Sequence, residues 1–543
     1  MMQTSSWKFP LALRCALLAI AIAARASAAD SSQPALRTIS VNCANAIGPT
    51  SQVYRFSVGS DRAIIHLRPQ EQKDLKFVHD QIGFQYIRCH GLLNEEMKTY
   101  SESPTGQPIY NWSNVDGVYD FLLSIGMKPF VELGFIPEKL ASGNDHIFYW
   151  NGNTTPPRNY VQWGQFIAAL TQHLTNRYGT DEVKRWYFEV WNEPNLTGFW
   201  HGSQADYFKL YATTAAAVKS VNAAYQVGGP ATAGCQWIPE FIQFCTASHE
   251  PVDFVSTHTY GVKQGFLDAN GNGQTVMDYQ PTALAGSLAG PVNDIHASPL
   301  PNLPLYMTEW STSYSPRDPV HDSYVSAAYI LQTLRNIPAG VDGMSYWTFS
   351  DQFEEAGPPP SPFHGGFGLL NTQGLPKPAF FAYRFLHQLA DTQLQCDDRQ
   401  AWATRANDSA GGANVSVLFW DFTMLHQDTP NPTYFARDLP AAPAGAARLS
   451  LYHLAAGDYQ LKVSRVGYRH NDVYTAYVDL HSPHGLPHAP AILSDPIADQ
   501  LRAHCTGAPE TQRHVHIAAG ASPWTLDLPV NQNDVYLVQM IRS

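Results

Sequence analysis

Arg185-Trp-Tyr-Phe-Glu-Val-Trp-Asn-Glu-Pro194 is the stretch on which the fold turns. Its apolar and aromatic run, Trp186 to Val190, reads as a buried strand, and Glu193 falls where that strand would run out into a loop. Leu305-Tyr-Met-Thr-Glu-Trp310 repeats the arrangement, with Glu309 near its end. The C-terminal ends of barrel strands are where a (β/α)8 enzyme keeps its chemistry. Two carboxylates placed there make the pair that cleaves a glycosidic bond by acid and nucleophile.

The alternation that a barrel needs extends to both sides of these runs. Further strand-like segments occur at Gln85 to Arg88, Pro129 to Leu133, Gln226 to Val227, Phe254 to Thr257 and Met344 to Thr348. Helical stretches such as Tyr160 to Tyr178 and Asp206 to Val221 separate them, the second introduced by Ser203-x-x-Asp206, a capping-box signature. With a first strand near Tyr54 to Val58, eight strands result. An α/β fold of the (β/α)8 TIM-barrel type is expected over residues 51–390, with Pro378 to Leu389 as the last helix.

Beyond it, Val415 to Phe419, Tyr459 to Val466, Val473 to Leu480 and Val535 to Met540 are β-prone. Connections rich in Gly, Pro and Ala, notably Pro440 to Ala447, separate them. An accessory β-sandwich domain is expected over residues 391–543, joined by the strand-like Leu36 to Val41 of the N-terminal segment 29–50.

A net charge of −12 over 543 residues argues against nucleic acid or an anionic membrane as partner. Plentiful aromatics and sparse charge suit a neutral ligand with apolar faces, such as a sugar. Residues 1–28 read as a signal peptide: Lys8 and Arg14 form the basic start, Cys15 to Ala24 the apolar stretch, and Ala26-Ser27-Ala28 the cleavage site. Export to a periplasm or the medium is expected, with no membrane span. Cys43, Cys89, Cys235, Cys245, Cys396 and Cys505 remain, without metal-like spacing. Disulfides and buried free thiols are both open, and Cys235 with Cys245 is the first pair to test.

Trp191-Asn192-Glu193-Pro194, followed by a glutamate ending strand 7, resembles the clan A glycoside hydrolases. Five further segments make the chain similar to glycoside hydrolase family 39. They are Ile82-Gly-Phe-Gln-Tyr-Ile-Arg-Cys-His-Gly91, Glu132-Leu-Gly-Phe-Ile-Pro137, Asp253-Phe-Val-Ser-Thr-His-Thr-Tyr260, Tyr346-Trp-Thr-Phe-Ser-Asp-Gln-Phe-Glu-Glu355 and Phe363-His-Gly-Gly-Phe-Gly-Leu-Leu370. They occur in family order across the whole expected barrel. The family holds β-xylosidases, α-L-iduronidases and some polysaccharide glycosidases, all expected to retain configuration.

The resemblance implies that Glu193 is the acid/base and Glu309 the nucleophile. Asn192 would bond the sugar 2-hydroxyl, and Tyr260 would partner the nucleophile with His258 close by. His90, Glu355 and Glu354 would hold the remaining hydroxyls, and Trp347 would offer a flat face to the ring. Where the iduronidase branch carries a lysine to bind the uronate, this chain has Tyr260. A small neutral saccharide, xylose in particular, is therefore expected. Other family specificities (an arabinopyranoside, a uronide, a bacterial polysaccharide) and a catalytically silent sugar-binding protein are the alternatives.

Taken singly these residues say less. An Asn-Glu-Pro tripeptide is often just a turn, and His90 or His258 alone would more often be a satisfied core histidine. Glu132, also at a strand end, is a rival carboxylate, read as supporting the site through Arg88 or a backbone contact. Asp268-Ala-Asn-Gly-Asn-Gly273 imitates the start of a calcium loop, but Tyr279 stands where an EF-hand needs a bidentate Glu. No metal or cofactor is expected. Monomer and tetramer are both open.

Overall fold

The computed structural model describes residues 36–264, 273–278, 280–407, 413–481, 492–520 and 523–543. Residues 1–28, expected to be a signal peptide, and nearly all of the calcium-like loop lie outside these residues. Eight parallel strands close into a barrel in chain order. They are strand 1 (Ser57–Arg62), strand 2 (Tyr86–His90), strand 3 (Lys128–Glu132), strand 4 (Tyr187–Glu189), strand 5 (Gln226–Ala233), strand 6 (Phe254–His258), strand 7 (Leu305–Trp310) and strand 8 (Gly343–Tyr346). Strand 1 starts later than expected because Val53–Arg55 forms a 3-10 turn ahead of it.

The two longest barrel helices open on side-chain caps. Asn159 accepts hydrogen bonds from the Val161 and Gln162 amides and opens the helix Tyr160–Tyr178. Ser203 and Asp206 form the reciprocal capping box of the helix Gln204–Val221.

The barrel floor is aromatic. Phe56, Tyr86, Phe130, Tyr187, Phe254 and Tyr306 pack together where the strands enter, with Phe56 stacked on Tyr306 at 4.6 Å and Phe130 on Tyr187 at 5.1 Å. Strand 8 contributes Gly343 here, and a Cβ on it would lie 2.4 Å from the Phe56 ring. Successive strand residues face opposite sides, so the inward positions after these rings are Arg88, Glu132, Glu189, Ser256 and Thr308, all buried. Charged side chains thus occupy the layer directly above the floor.

The second region is built on one nine-stranded sheet. Arg37–Pro49 lies inside it, parallel to Pro443–Tyr452 and antiparallel to Thr392–Cys396. Ile39, Val41, Val417, Leu449, Leu461 and Val538 are among the residues of its apolar core. Two local expectations change. The Pro- and Ala-rich stretch at Pro440 to Ala447 already belongs to a strand from Pro443. Val473 to Leu480 is not a strand but lies in the helix Val473–His481. Asp472 accepts the Thr475 amide at 3.2 Å and so caps that helix. Val473, Tyr474 and Tyr477 share its buried face at helical spacing.

The two regions meet over the barrel loops. Asn431 donates to Asp318 Oδ2 at 2.8 Å, and Gln427 Oε1 accepts the Met277 amide at 3.0 Å. All six cysteines named above are unpaired. Among the described residues no helix is long and apolar enough to cross a membrane.

Candidate active site

The C-terminal ends of strands 2, 4, 6 and 7 and the loop after strand 8 converge on one cluster. Arg88, wholly buried on strand 2, is its centre. Its Nε donates to Glu189 Oε2 at 2.5 Å, its Nη1 to Glu309 Oε1 at 2.6 Å and its Nη2 to Asn192 Oδ1 at 2.9 Å, and Nη2 also forms an ion pair with Glu132 Oε2 at 2.9 Å. A planar fork that reaches three carboxylates and an amide fixes their relative positions. Removing it would leave buried charges unpaired, at about 3–5 kcal/mol.

Glu309 reaches the cluster through an irregularity in strand 7. Pairing with strands 6 and 8 shifts register between Met307 and Trp310. A shift of this kind re-aims side chains, and here it lets Thr308 and Glu309, adjacent in sequence, both contact interior groups. Thr308 donates to Glu189, while Glu309 Oε2 accepts the Tyr260 hydroxyl at 2.7 Å. Both oxygens of Glu309 therefore hold a donor.

Glu193 is aimed by backbone strain. Trp191 and Glu193 have φ of 76° and 44°, a region that costs a non-glycine residue on the order of 1 kcal/mol or more. Neighbouring bonds hold the strain. The Glu193 amide donates to Ala231 O at 2.8 Å, Asn195 brackets the Ala233 backbone with two bonds of 2.9 Å, and Trp191 Nε1 donates to Phe199 O at 2.9 Å. Glu193 Oε1 then lies 2.9 Å from His258 Nδ1. Oxygens of Glu193 and Glu309 and a nitrogen of His258 all lie within 4.8 Å of one another. Because Arg88 and Tyr260 already supply donors to both Glu309 oxygens, the trio reads as a carboxylate pair with a neighbouring imidazole.

The electrostatics separate the two carboxylates. Burial first, and then the charge of Glu309, hold the Glu193 carboxyl well above the usual carboxylate range. Burial, reinforced by Arg88 and His90, pulls His258 far below the usual imidazole value, so it is neutral. Burial also pulls at His90, but the Glu132 charge and hydrogen bond, with Glu355 and Glu309, outweigh it and keep that imidazolium charged. Burial and the neighbouring Glu309 and Glu193 push the Tyr260 hydroxyl up, so it remains a donor.

His90 bonds Glu132 Oε2 through Nδ1 at 2.7 Å and faces Glu355 Oε1 through Nε2 at 3.3 Å. Trp347 lies beside His90, ring centroids 4.8 Å apart. Its ring rests on strand 1, where a Cβ on Gly59 would approach Cε3 to 2.2 Å. Glu193, Glu309, His90, Asn192, His258, Tyr260, Trp347 and Glu355 are thus assembled at one mouth. Glu354 goes elsewhere, paired with Arg62 at 2.8 Å and Arg68 at 2.6 Å. Glu132 contacts Arg88 as expected. Sequence reasoning passed over Glu189 and Thr308 and gave Arg88 only a supporting mention. The signal was available, since charged residues inside a buried strand are rare unless paired.

The family model of glycosyl hydrolases family 39 matches residues 37–434. A β-xylosidase of Caldicellulosiruptor saccharolyticus is 45% identical over 363 residues, 66% of this chain and 73% of that protein. The crystal structure of a monomeric β-xylosidase from Caulobacter crescentus CB15 is similar at a TM-score of 0.87 and 43% identity, covering 93% of this chain and 99% of that one. The family 39 enzyme of Xanthomonas axonopodis pv. citri gives a TM-score of 0.89 at 42% identity, covering 95% and 99%.

Proposed function

We propose that this chain, which belongs to glycosyl hydrolases family 39, is a retaining glycosidase that releases xylose from the non-reducing end of β-1,4-xylo-oligosaccharides and β-xylosides. That it hydrolyses glycosidic bonds follows from the family and from the β-xylosidases it resembles across most of its length. The retaining mechanism rests on one observation, the approach of Glu193 and Glu309 oxygens to within 4.8 Å. That spacing belongs with the pair about 5–5.5 Å apart in retaining enzymes rather than the roughly 6.5–9.5 Å that admits a water between inverting carboxylates.

In the first step a Glu309 oxygen attacks the anomeric carbon while Glu193 gives its proton to the glycosidic oxygen. The bond to the leaving group breaks and the aglycone departs as an alcohol. In the second step the Glu193 carboxylate takes a proton from water, and the water oxygen displaces Glu309 from the ester. Protonated Glu193 and ionised Glu309 are then restored. The charge of Glu309 vanishes in the ester, which removes one of the influences holding Glu193 protonated and lets it act as base. Arg88 and Tyr260 hold the nucleophile, and Asn192, gripped through Oδ1, keeps its amide nitrogen to donate to the sugar.

A neutral sugar is supported by the way the cations of the pocket are used. Arg88 and His90 are each committed to carboxylates, and Tyr260 stands where a lysine would bind a uronate. The names of the β-xylosidase relatives support xylose. The chemistry proposed uses no metal or cofactor, and residues 1–28 are proposed to direct export.

Hydrolysis of 4-nitrophenyl β-D-xylopyranoside, with Glu309→Ala as the blank, tests the reading. Turnover that falls by more than about 10⁴-fold in the variant is expected. A folded wild-type protein with no turnover would discard xylose, and equal rates in both would discard Glu309.

A further inference from the structure

Below the two carboxylates lies a chain of hydrogen bonds that the double displacement does not itself use. Thr308 Oγ1 donates to Glu189 Oε1 at 2.8 Å, and the other Glu189 oxygen is held by Arg88 Nε at 2.5 Å. His258 Nε2 lies 3.1 Å from Thr308 Oγ1, and His258 Nδ1 lies 2.9 Å from Glu193 Oε1. All four side chains, Glu189, Thr308, His258 and Glu193, are buried.

A hydroxyl carries one hydrogen. That of Thr308 is spent on Glu189, so it meets His258 Nε2 with a lone pair, and the contact is a hydrogen bond only if Nε2 carries the proton. A neutral imidazole protonated at Nε2 has a bare lone pair at Nδ1. The contact between Nδ1 and Glu193 then needs a hydrogen from the carboxyl group. We propose that Glu189 and Thr308 are positioning residues that fix His258 in its Nε2–H tautomer and, through it, keep the catalytic proton on Glu193. The proposal rests on the acid/base role given to Glu193 above.

The consequence is a carboxyl group whose ionisation is opposed. Once Glu193 loses its proton, its Oε1 faces the Nδ1 lone pair with no donor between them. The ionised form is disfavoured and the carboxylate is a better base in the second step. Hydrogen bonding to a charged form favours it, and withholding that bond has the opposite effect. The neutrality of His258 agrees with its burial and with the charges of Arg88 and His90 nearby, against which stands the Glu309 carboxylate, its Oε2 3.6 Å from Nδ1. Glu193 is also faced by Glu309, His90, Arg88 and Glu355, none of which changes with the hydroxyl of Thr308.

Thr308→Val keeps the shape and deletes the hydroxyl. His258 is then free to take the Nδ1–H tautomer and donate to the Glu193 carboxylate. The alkaline limb of kcat/KM against pH on xylobiose, where the acid loses its proton, should move down by about one pH unit. Thr308→Ser should bring it back. A packing defect alone would lower the whole profile without moving the limb. Independently of any variant, ¹⁵N-histidine spectra of the wild-type protein should show His258 protonated at Nε2, its signals assigned by their loss in His258→Gln. An Nδ1–H tautomer in the wild type would overturn the proposal, as would an unmoved limb in Thr308→Val or a Thr308→Ser limb displaced as far as that of Thr308→Val. If the wild type turns over no xyloside, the choice of xylose fails instead, and the spectra still decide the tautomer.

Discussion

At its N-terminal end the barrel presents Phe56, Tyr86, Phe130, Tyr187, Phe254 and Tyr306 to its axis. At its C-terminal end strands 2, 6 and 7 and the loop after strand 4 present His90, His258, Glu309 and Glu193. The floor gains from contact alone, since each ring removes roughly 150–250 Å² from water and pairs edge-to-face or stacked with its neighbours. The mouth works against desolvation and holds only because Arg88 and His90 are placed among the carboxylates. Geometry differs in the same sense. The floor follows the strand period of two, whereas the mouth departs from it at the register shift beside Glu309 and at the positive φ of Trp191 and Glu193. Stability is stored where the pattern is regular, and chemistry where it is broken.

The largest expected effect at the mouth, after loss of the nucleophile, belongs to Glu193. Glu193→Ala should slow xylobiose hydrolysis by about 10²–10⁴-fold, the usual worth of a positioned proton donor. Aryl xylosides with acidic leaving groups should suffer far less in the first step, because they need little protonation. Azide should restore turnover and yield the β-configured azide, and an α product would contradict retention. Thermal stability should hardly change, because this carboxyl lies in the least favourable place for its charged form.

Phe130→Ala sharpens the comparison from the other end. Its ring packs against Tyr187 at 5.1 Å and Phe254 at 5.6 Å and is 2% exposed. Truncation should cost about 3–5 kcal/mol of folding stability, read by denaturant or thermal unfolding. At temperatures where the variant stays folded, kcat on an aryl xyloside should remain within a fewfold of wild type. A kcat loss comparable to that of Glu193→Ala would mean that the floor tunes the chemistry and that the two ends are not separable.

Much of this division was legible in the sequence. Trp186 to Val190 and Leu305 to Thr308 announce buried strands by composition, and Glu193 and Glu309 stand out by their place at the ends. Ser203 and Asp206 give a helix start by spacing alone. Glu189 carries a signal, a charge inside a buried strand, whereas Thr308 carries none, because its role depends on a register shift that only tertiary pairing produces. In the run of two acids the sequence favours Glu355 over Glu354 for the sugar, and in the structure Arg62 and Arg68 take up Glu354. In the second region Val473 to Leu480 has strand-like composition, yet one capping aspartate and a buried face at helical spacing decide for a helix.

Glu355 gives the smallest and most pH-specific effect. Burial raises its carboxyl from 4.5 to about 7, opposed by the His90 hydrogen bond and charge and assisted by Asp61 and Glu309. A carboxyl whose folded pKa exceeds its unfolded value is relatively stabilising below the unfolded pKa, and that contribution is lost as pH rises through the folded one. Here the window runs from 4.5 to about 7, and the loss is on the order of 3 kcal/mol. Glu355→Gln cannot ionise and can still accept from His90, so it should match wild type near pH 4.5 and exceed it at pH 8. Unfolding midpoints of the two proteins measured across that range would show the curves separating as pH rises. Parallel curves would mean that the Glu355 charge is solvated at the rim, and the line between the dry mouth and open water would then fall inside this residue rather than beyond it.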